Sequence, residues 1–144
     1  MFVCHGNICR SPMAEFVLLD MVKKRGLSDR ITAMSAATST EEIGNDIHYG
    51  TRRILDKYGI SYHRREAVQL TRADYYKYDL FVGMDSANIR NMKAMLGGDP
   101  EGKIHKLMDY TARGGDVADP WYTDRFDIAY RDIYEGCAAL LEKI

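Results

Sequence analysis

Cys4-His5-Gly6-Asn7-Ile8-Cys9-Arg10-Ser11-Pro12 follows the apolar pair Phe2-Val3 and precedes Met13-Ala14-Glu15-Phe16-Val17-Leu18-Leu19, a run of helical character. The nine residues therefore make a strand-to-helix turn, and their chemistry is that of a phosphate trap built around a nucleophile. Five residues separate Cys4 from Arg10, enough to wrap the backbone N–H groups from His5 to Arg10 around one tetrahedral anion. Gly6 and Asn7 are residue types that accept the left-handed backbone such a ring demands. Pro12 suits the first helical position, where a missing N–H costs nothing, and Ser11 before it is a natural cap. A helix N-terminus aimed at the loop brings partial positive charge and unpaired donors, so an anion belongs there.

The same field acts on Cys4. The thiolate is the attacking form of a cysteine, and a helix N-terminus beside an arginine favours it, which makes a dedicated base unnecessary. Arg10 offers a planar fork for two phosphoryl oxygens at once, and the Ser11 hydroxyl can donate to the sulfur. Two cysteines and a histidine within six residues could instead hold a metal, but the Cys-x4-Cys spacing and the lack of a second ligand pair speak against zinc. A nucleotide loop would need Gly-x4-Gly-Lys-Ser/Thr, which the chain lacks.

Cys-x-Gly-Asn-x-Cys-Arg-Ser-Pro at this position resembles the signature of the low-molecular-weight protein tyrosine phosphatases, and later stretches extend the likeness over nearly the whole chain. The resemblance implies catalysis without metal or other cofactor, and a Cys4–Cys9 pair that protects the nucleophile reversibly from over-oxidation. It also implies that Ser35, in Ser35-Ala36-Ala37-Thr38-Ser39, reaches back to hold Asn7 in a strained conformation. The family often places a His near position 65 to support that Asn; Arg65 stands there by count, with His63 two residues earlier. Glu41 occupies a rim position where relatives often carry an aromatic, leaving Tyr49 as the nearest aromatic candidate for the rim. Family members usually carry several more apolar residues before the loop, so either the start is trimmed or the first strand is minimal.

The 144 residues suit one domain, 1–144. With 20 Lys plus Arg against 21 Asp plus Glu, no general attraction to nucleic acid or a membrane is expected. The chain shows no leader, no apolar run of membrane length and no cysteine framework, so a cytoplasmic protein is expected. A monomer is the default expectation. Cys137 falls on a helical apolar stripe with Tyr130, Ile133 and Leu141 and reads as core. His48, His63 and His105 are scattered and read as structural or exposed.

In order, helices are expected at 12–25, 46–58, 86–96 and 124–143, with strands near 30–36, 67–70, 78–84 and 103–108. Thr71-Arg72-Ala73-Asp74 reads as a capping box opening a short helix, and Asp85 as the cap of the helix at 86–96. The alternation predicts a single doubly wound α/β domain. Its four-stranded parallel sheet carries helices on both faces and the phosphate-binding loop after the first strand.

After Arg113-Gly114-Gly115-Asp116 comes Val117-Ala118-Asp119-Pro120-Trp121-Tyr122. A thiolate attacking phosphorus expels an alkoxide or phenoxide that needs a proton, and a carboxylic acid on a separate loop can supply it. The family's Asp-Pro-aromatic-Tyr loop matches here, which implies Asp119 as general acid and then base, with Trp121 and Tyr122 as one wall of a slot for a phenol ring. The implied substrate is a phosphotyrosine protein or a small aryl phosphate. Three rivals share parts of this pattern. Arsenate reductases relay electrons through further cysteines, yet residues 80–100 contain none. Protein-arginine phosphatases carry a small Thr where this chain has Ile8, and a non-catalytic phosphate module would lack the nucleophile, arginine or acid.

Overall fold

The computed structural model describes residues 1–144. Four short strands, β1 (Phe2–Cys4), β2 (Ser35–Ala37), β3 (Phe81–Gly83) and β4 (Ile104–Lys106), form one parallel sheet in the order β2-β1-β3-β4. The sequences of β1, β2 and β3 are apolar or small without alternation, as expected for strands covered on both faces, while the edge strand β4 carries the partly buried His105 and Lys106. Helices α1 (Arg10–Lys24), α2 (Tyr49–Lys57), α3 (Ser86–Leu96), α4 (Pro120–Thr123) and α5 (Phe126–Lys143) complete the fold. None of them is long and apolar enough to cross a membrane.

Two cores flank the sheet. Phe2 and Cys4 point into the larger one, with Val17 and Phe16 of α1 and Ile133, Cys137 and Leu140 of α5. Val3, between them, points into the smaller one with Phe81, Met92 and Leu96. Successive side chains of a strand face opposite sides, so this alternation puts the Cys4 side chain on the α1 face. The sheet order reverses between β1 and β3, and the loops leaving their carboxyl ends flank the crevice where doubly wound folds bind ligands.

The helix expected at 12–25 starts earlier, at Arg10, with Cys9 in the capping position and no side-chain cap. Pro12 is therefore the third helical residue rather than the first, still within the turn whose N–H groups lack partners. The Ser11 hydroxyl, expected to cap, is used elsewhere, as described below. The strand expected at 30–36 shortens to Ser35–Ala37 because β1 offers only Phe2–Cys4 as pairing partners. The stretch 67–70 makes a single bridge, Ala37 to Gln69, and is not a strand of the sheet. The capping boxes at Thr71/Asp74 and Asp85/Asn88 both form. The last helix begins at Phe126 rather than 124, since Asp124 takes a left-handed φ of 57° that closes α4.

Packing of α5 on the 3-10 turn that follows β4, Leu107–Tyr110, leaves no room at Gly136, where a Cβ would lie 2.5 Å from Leu107 Cγ. Gly136→Ala should gain about 1 kcal/mol of helix propensity but lose about 1–3 kcal/mol to overpacking against this fully buried leucine. Denaturant unfolding is expected to show a net loss of stability; a gain would refute this packing.

Candidate active site

Asn7 is the one residue of the loop with a positive φ, 60°. Gly6, expected to share that conformation, does not. The Asn7 side chain is fully spent: Nδ2 donates to Ser11 Oγ at 2.8 Å and to Ser35 Oγ at 2.9 Å, and Oδ1 accepts from Val68 N at 3.2 Å. Behind it, Ser35 Oγ donates to Glu15 Oε1 at 2.6 Å and accepts from Arg65 Nη2 at 3.3 Å. Arg65 thus bonds to Ser35, not to Asn7, and its Nη1 is buried with no partner. Burial pushes the Glu15 carboxyl up, against the Ser35 hydrogen bond and the charge of Arg65. Burial likewise lowers Arg65, against Glu15.

This scaffold aims donors at Cys4. The backbone N–H groups of Asn7 and Ser11 point to Cys4 Sγ at 3.3 and 3.4 Å. Ser11 Oγ lies 3.0 Å from the sulfur, where it accepts from the thiol and can donate to the thiolate. The N–H groups of Gly6, Ile8 and Cys9 find no acceptor within the protein, so they remain available to an anion. Burial first, then the nearby Cys4 and Asp119, push the Cys9 thiol up to about 12, so Cys9 stays protonated at neutral pH. Cys137 is buried against Ala14 O at 3.7 Å, in the core as expected.

Arg10 is clamped from beneath. Nη1 donates to Asp85 Oδ2 at 2.7 Å and to the Val117 carbonyl at 2.9 Å, while Nη2 lies 3.4 Å from Asp119 Oδ2. Burial works against its charge, but Cys4 and the carboxylates of Asp85 and Asp119 outweigh this and raise it above its ordinary value. Asp85 does two jobs at once, since its Oδ1 also accepts from Asn88 N at 2.8 Å to cap α3. The sequence points only to the cap, because nothing in the spacing ties Asp85 to a residue 75 positions earlier. Asp119 is similarly divided: Oδ1 caps α4 by accepting from Trp121 N at 3.0 Å, leaving Oδ2 on the Arg10 side.

A cleft open to solvent is lined by Cys4, His5, Gly6, Ile8, Cys9, Arg10, Asp119, Trp121 and Tyr122. Glu41 and Glu42 line its mouth, and Glu41 Oε2 pairs with His5 Nε2 at 3.0 Å. Glu42 was not anticipated from the sequence. Tyr49, the expected rim aromatic, does not line the cleft: its ring stacks on His48 with centroids 4.9 Å apart and faces a different hollow, beside Arg53 and Lys57. The cause is the position of α2, which begins at Tyr49 and turns that side chain outward.

A family model described as low molecular weight phosphotyrosine protein phosphatase matches residues 1–144. The chain is 40% identical over 146 residues to the low molecular weight protein-tyrosine-phosphatase YfkJ of Bacillus subtilis, covering 100% of this chain and 94% of that protein. The crystal structure of YfkJ superimposes with a TM-score of 0.96 at 41% identity, covering 99% of this chain and 91% of the other. That of SP-PTP, a low molecular weight protein tyrosine phosphatase from Streptococcus pyogenes, gives 0.90 at 42% identity, covering 99% and 90%. With the loop, the clamped arginine and the Asp-Pro loop meeting at one cleft, the chain belongs to the low molecular weight phosphotyrosine protein phosphatase family.

Proposed function

We propose that the protein hydrolyses phosphotyrosine-type monoesters through a cysteinyl-phosphate. The observation that carries this reading is the convergence on Cys4 Sγ of the Asn7 and Ser11 amides and the Ser11 hydroxyl, beside a buried Arg10. In the first step Cys4 Sγ attacks phosphorus, an S–P bond forms, the P–O(aryl) bond breaks, and Asp119 passes its proton to the departing phenolate. In the second, Asp119 takes a proton from water as the water oxygen attacks phosphorus. The S–P bond then breaks, and Ser11 O–H steadies the returning thiolate. The free amides of Gly6, Ile8 and Cys9 and the Arg10 fork hold the three equatorial oxygens in both steps, where negative charge is spread.

Trp121 and Tyr122 supply apolar surface for a phenol ring, which supports an aryl ester, and Ile8 in the lining leaves less room than the small residue of arginine phosphatases. A thiol relay of the arsenate-reducing kind finds no support, since Cys137 lies in the core. The three unpaired cysteines support a reducing, cytoplasmic setting, and the near-neutral overall charge gives no general attraction to nucleic acid or a membrane.

Assayed on an aryl phosphate, the wild type is expected to turn over, Cys4→Ser to be inactive, and Asp119→Ala to lose about 10²–10⁴-fold in kcat, the range for a missing general acid. Full turnover by Cys4→Ser would end this reading. Asp85→Asn separates the clamp from the cap, because an Asn side chain still caps α3 while the ion pair to Arg10 is lost. Its melting temperature should fall, since the buried guanidinium loses one of its two carboxylates, kcat/KM should fall by about tenfold or more, and inorganic phosphate should inhibit less tightly. Unchanged kinetics would show that Arg10 needs no anchor.

A further inference from the structure

His48 lies outside the chemistry, yet three parts of the site meet on it. Its backbone N–H donates to the Ile8 carbonyl of the phosphate loop at 2.8 Å. Its Nδ1 accepts from Gly50 N at 3.0 Å and so caps α2. Its ring lies parallel to Phe126, with centroids 5.2 Å apart and 13° between planes, and meets the edge of Trp121 at 5.9 Å and 77°. Phe126 in turn presses on Gly50 so closely that a Cβ there would lie 2.5 Å from the ring, which fixes the floor of this aromatic seat.

Trp121 is 57% exposed, and its own helix, α4, is only four residues long. A large ring on so short an element needs a neighbour to hold its direction, and His48 gives it an edge-to-face contact. The rest of the seat is anchored to the loop: besides His48 N–H on Ile8 O, Thr51 Oγ1 donates to the Cys9 carbonyl at 3.1 Å. The aromatic wall is therefore tied to the phosphate trap at two points, at its base by Asp119, which pairs with Arg10 and caps Trp121 N, and at its ring by His48.

We propose that His48 is a positioning residue for aryl specificity: its ring seats Trp121 at a fixed distance from the phosphate loop, so that a phenol ring fits when its phosphate is bound. The inference rests on the phosphatase reading for its kinetic consequence, but the seat itself is measurable without turnover, because Trp121 is the only tryptophan in the chain.

Two substitutions divide the roles of the side chain. His48→Asn keeps a capping oxygen and the backbone bond to Ile8 but removes the ring. His48→Phe keeps a ring and loses the cap. In His48→Asn, acrylamide should quench Trp121 fluorescence more readily than in wild type, and the KM for an aryl phosphate should rise about threefold to tenfold, what an aromatic contact is worth. Inhibition by inorganic phosphate, which touches only the loop, should be unchanged. His48→Phe should restore Trp121 shielding and the aryl KM while melting at a lower temperature. The proposal is overturned if His48→Asn matches wild type in quenching and KM, if His48→Phe fails alongside it, or if phosphate inhibition weakens in step with the aryl KM. Absence of turnover in the wild type would instead defeat the phosphatase reading, and the quenching comparison would still decide whether His48 seats Trp121.

Discussion

Asn7 holds a left-handed backbone and spends both amide hydrogens and its carbonyl oxygen on Ser11, Ser35 and Val68, and the rest of the site depends on that arrangement. The conformation costs a non-glycine residue about 1–2 kcal/mol. Three hydrogen bonds, two of them buried, return about 1 kcal/mol each, so the side chain outweighs the strain it permits. The tight turn at Asn7 brings its own N–H and that of Ser11 onto the Cys4 sulfur and leaves the next amides facing outward. Because Nδ2 donates into Ser11 Oγ, the hydroxyl proton of Ser11 is left for the sulfur. The nucleophile and the anion cradle are thus consequences of one turn.

The second half of the site is assembled from the far end of the sheet. Strand β3 delivers Asp85 to the crevice beside β1, and the connector after β4 delivers Val117 and Asp119, so Arg10 is gripped by parts of the chain more than seventy residues away. A buried arginine without such partners would carry an uncompensated charge, at a cost of several kcal/mol. Its neutralisation by Asp85 and Asp119 keeps the fork in place. The same closeness joins the acid to the phosphate site, since Asp119 meets Arg10 with one oxygen and caps α4 with the other.

What was legible in the sequence was what local chemistry encodes. The parallel α/β class, the loop with its Cys4 and Arg10, the capping box at Thr71, the cap at Asp85 and the buried stripe around Cys137 all follow from residue types at short spacings. Helix boundaries were less legible, because Pro12 is tolerated throughout the first turn and Ser11 was claimed by a tertiary bond that competes with capping. The bond from Arg65 to Ser35, the grip of Asp85 on Arg10 and the aromatic seat at His48 were not readable, since each joins segments far apart in the chain. Tyr49 was misplaced for a related reason: its direction is decided by where α2 begins, which in turn is set by the cap that His48 provides.

The side chain of Asn7, and not merely its backbone angle, holds the loop. Glycine adopts a positive φ without cost but makes none of the three bonds, so Asn7→Gly isolates the side chain. Measured on an aryl phosphate, kcat of Asn7→Gly is expected to fall by at least about tenfold, with weaker inhibition by inorganic phosphate, as Ser11 and the amides lose their aim. A wild-type kcat in Asn7→Gly would contradict the account.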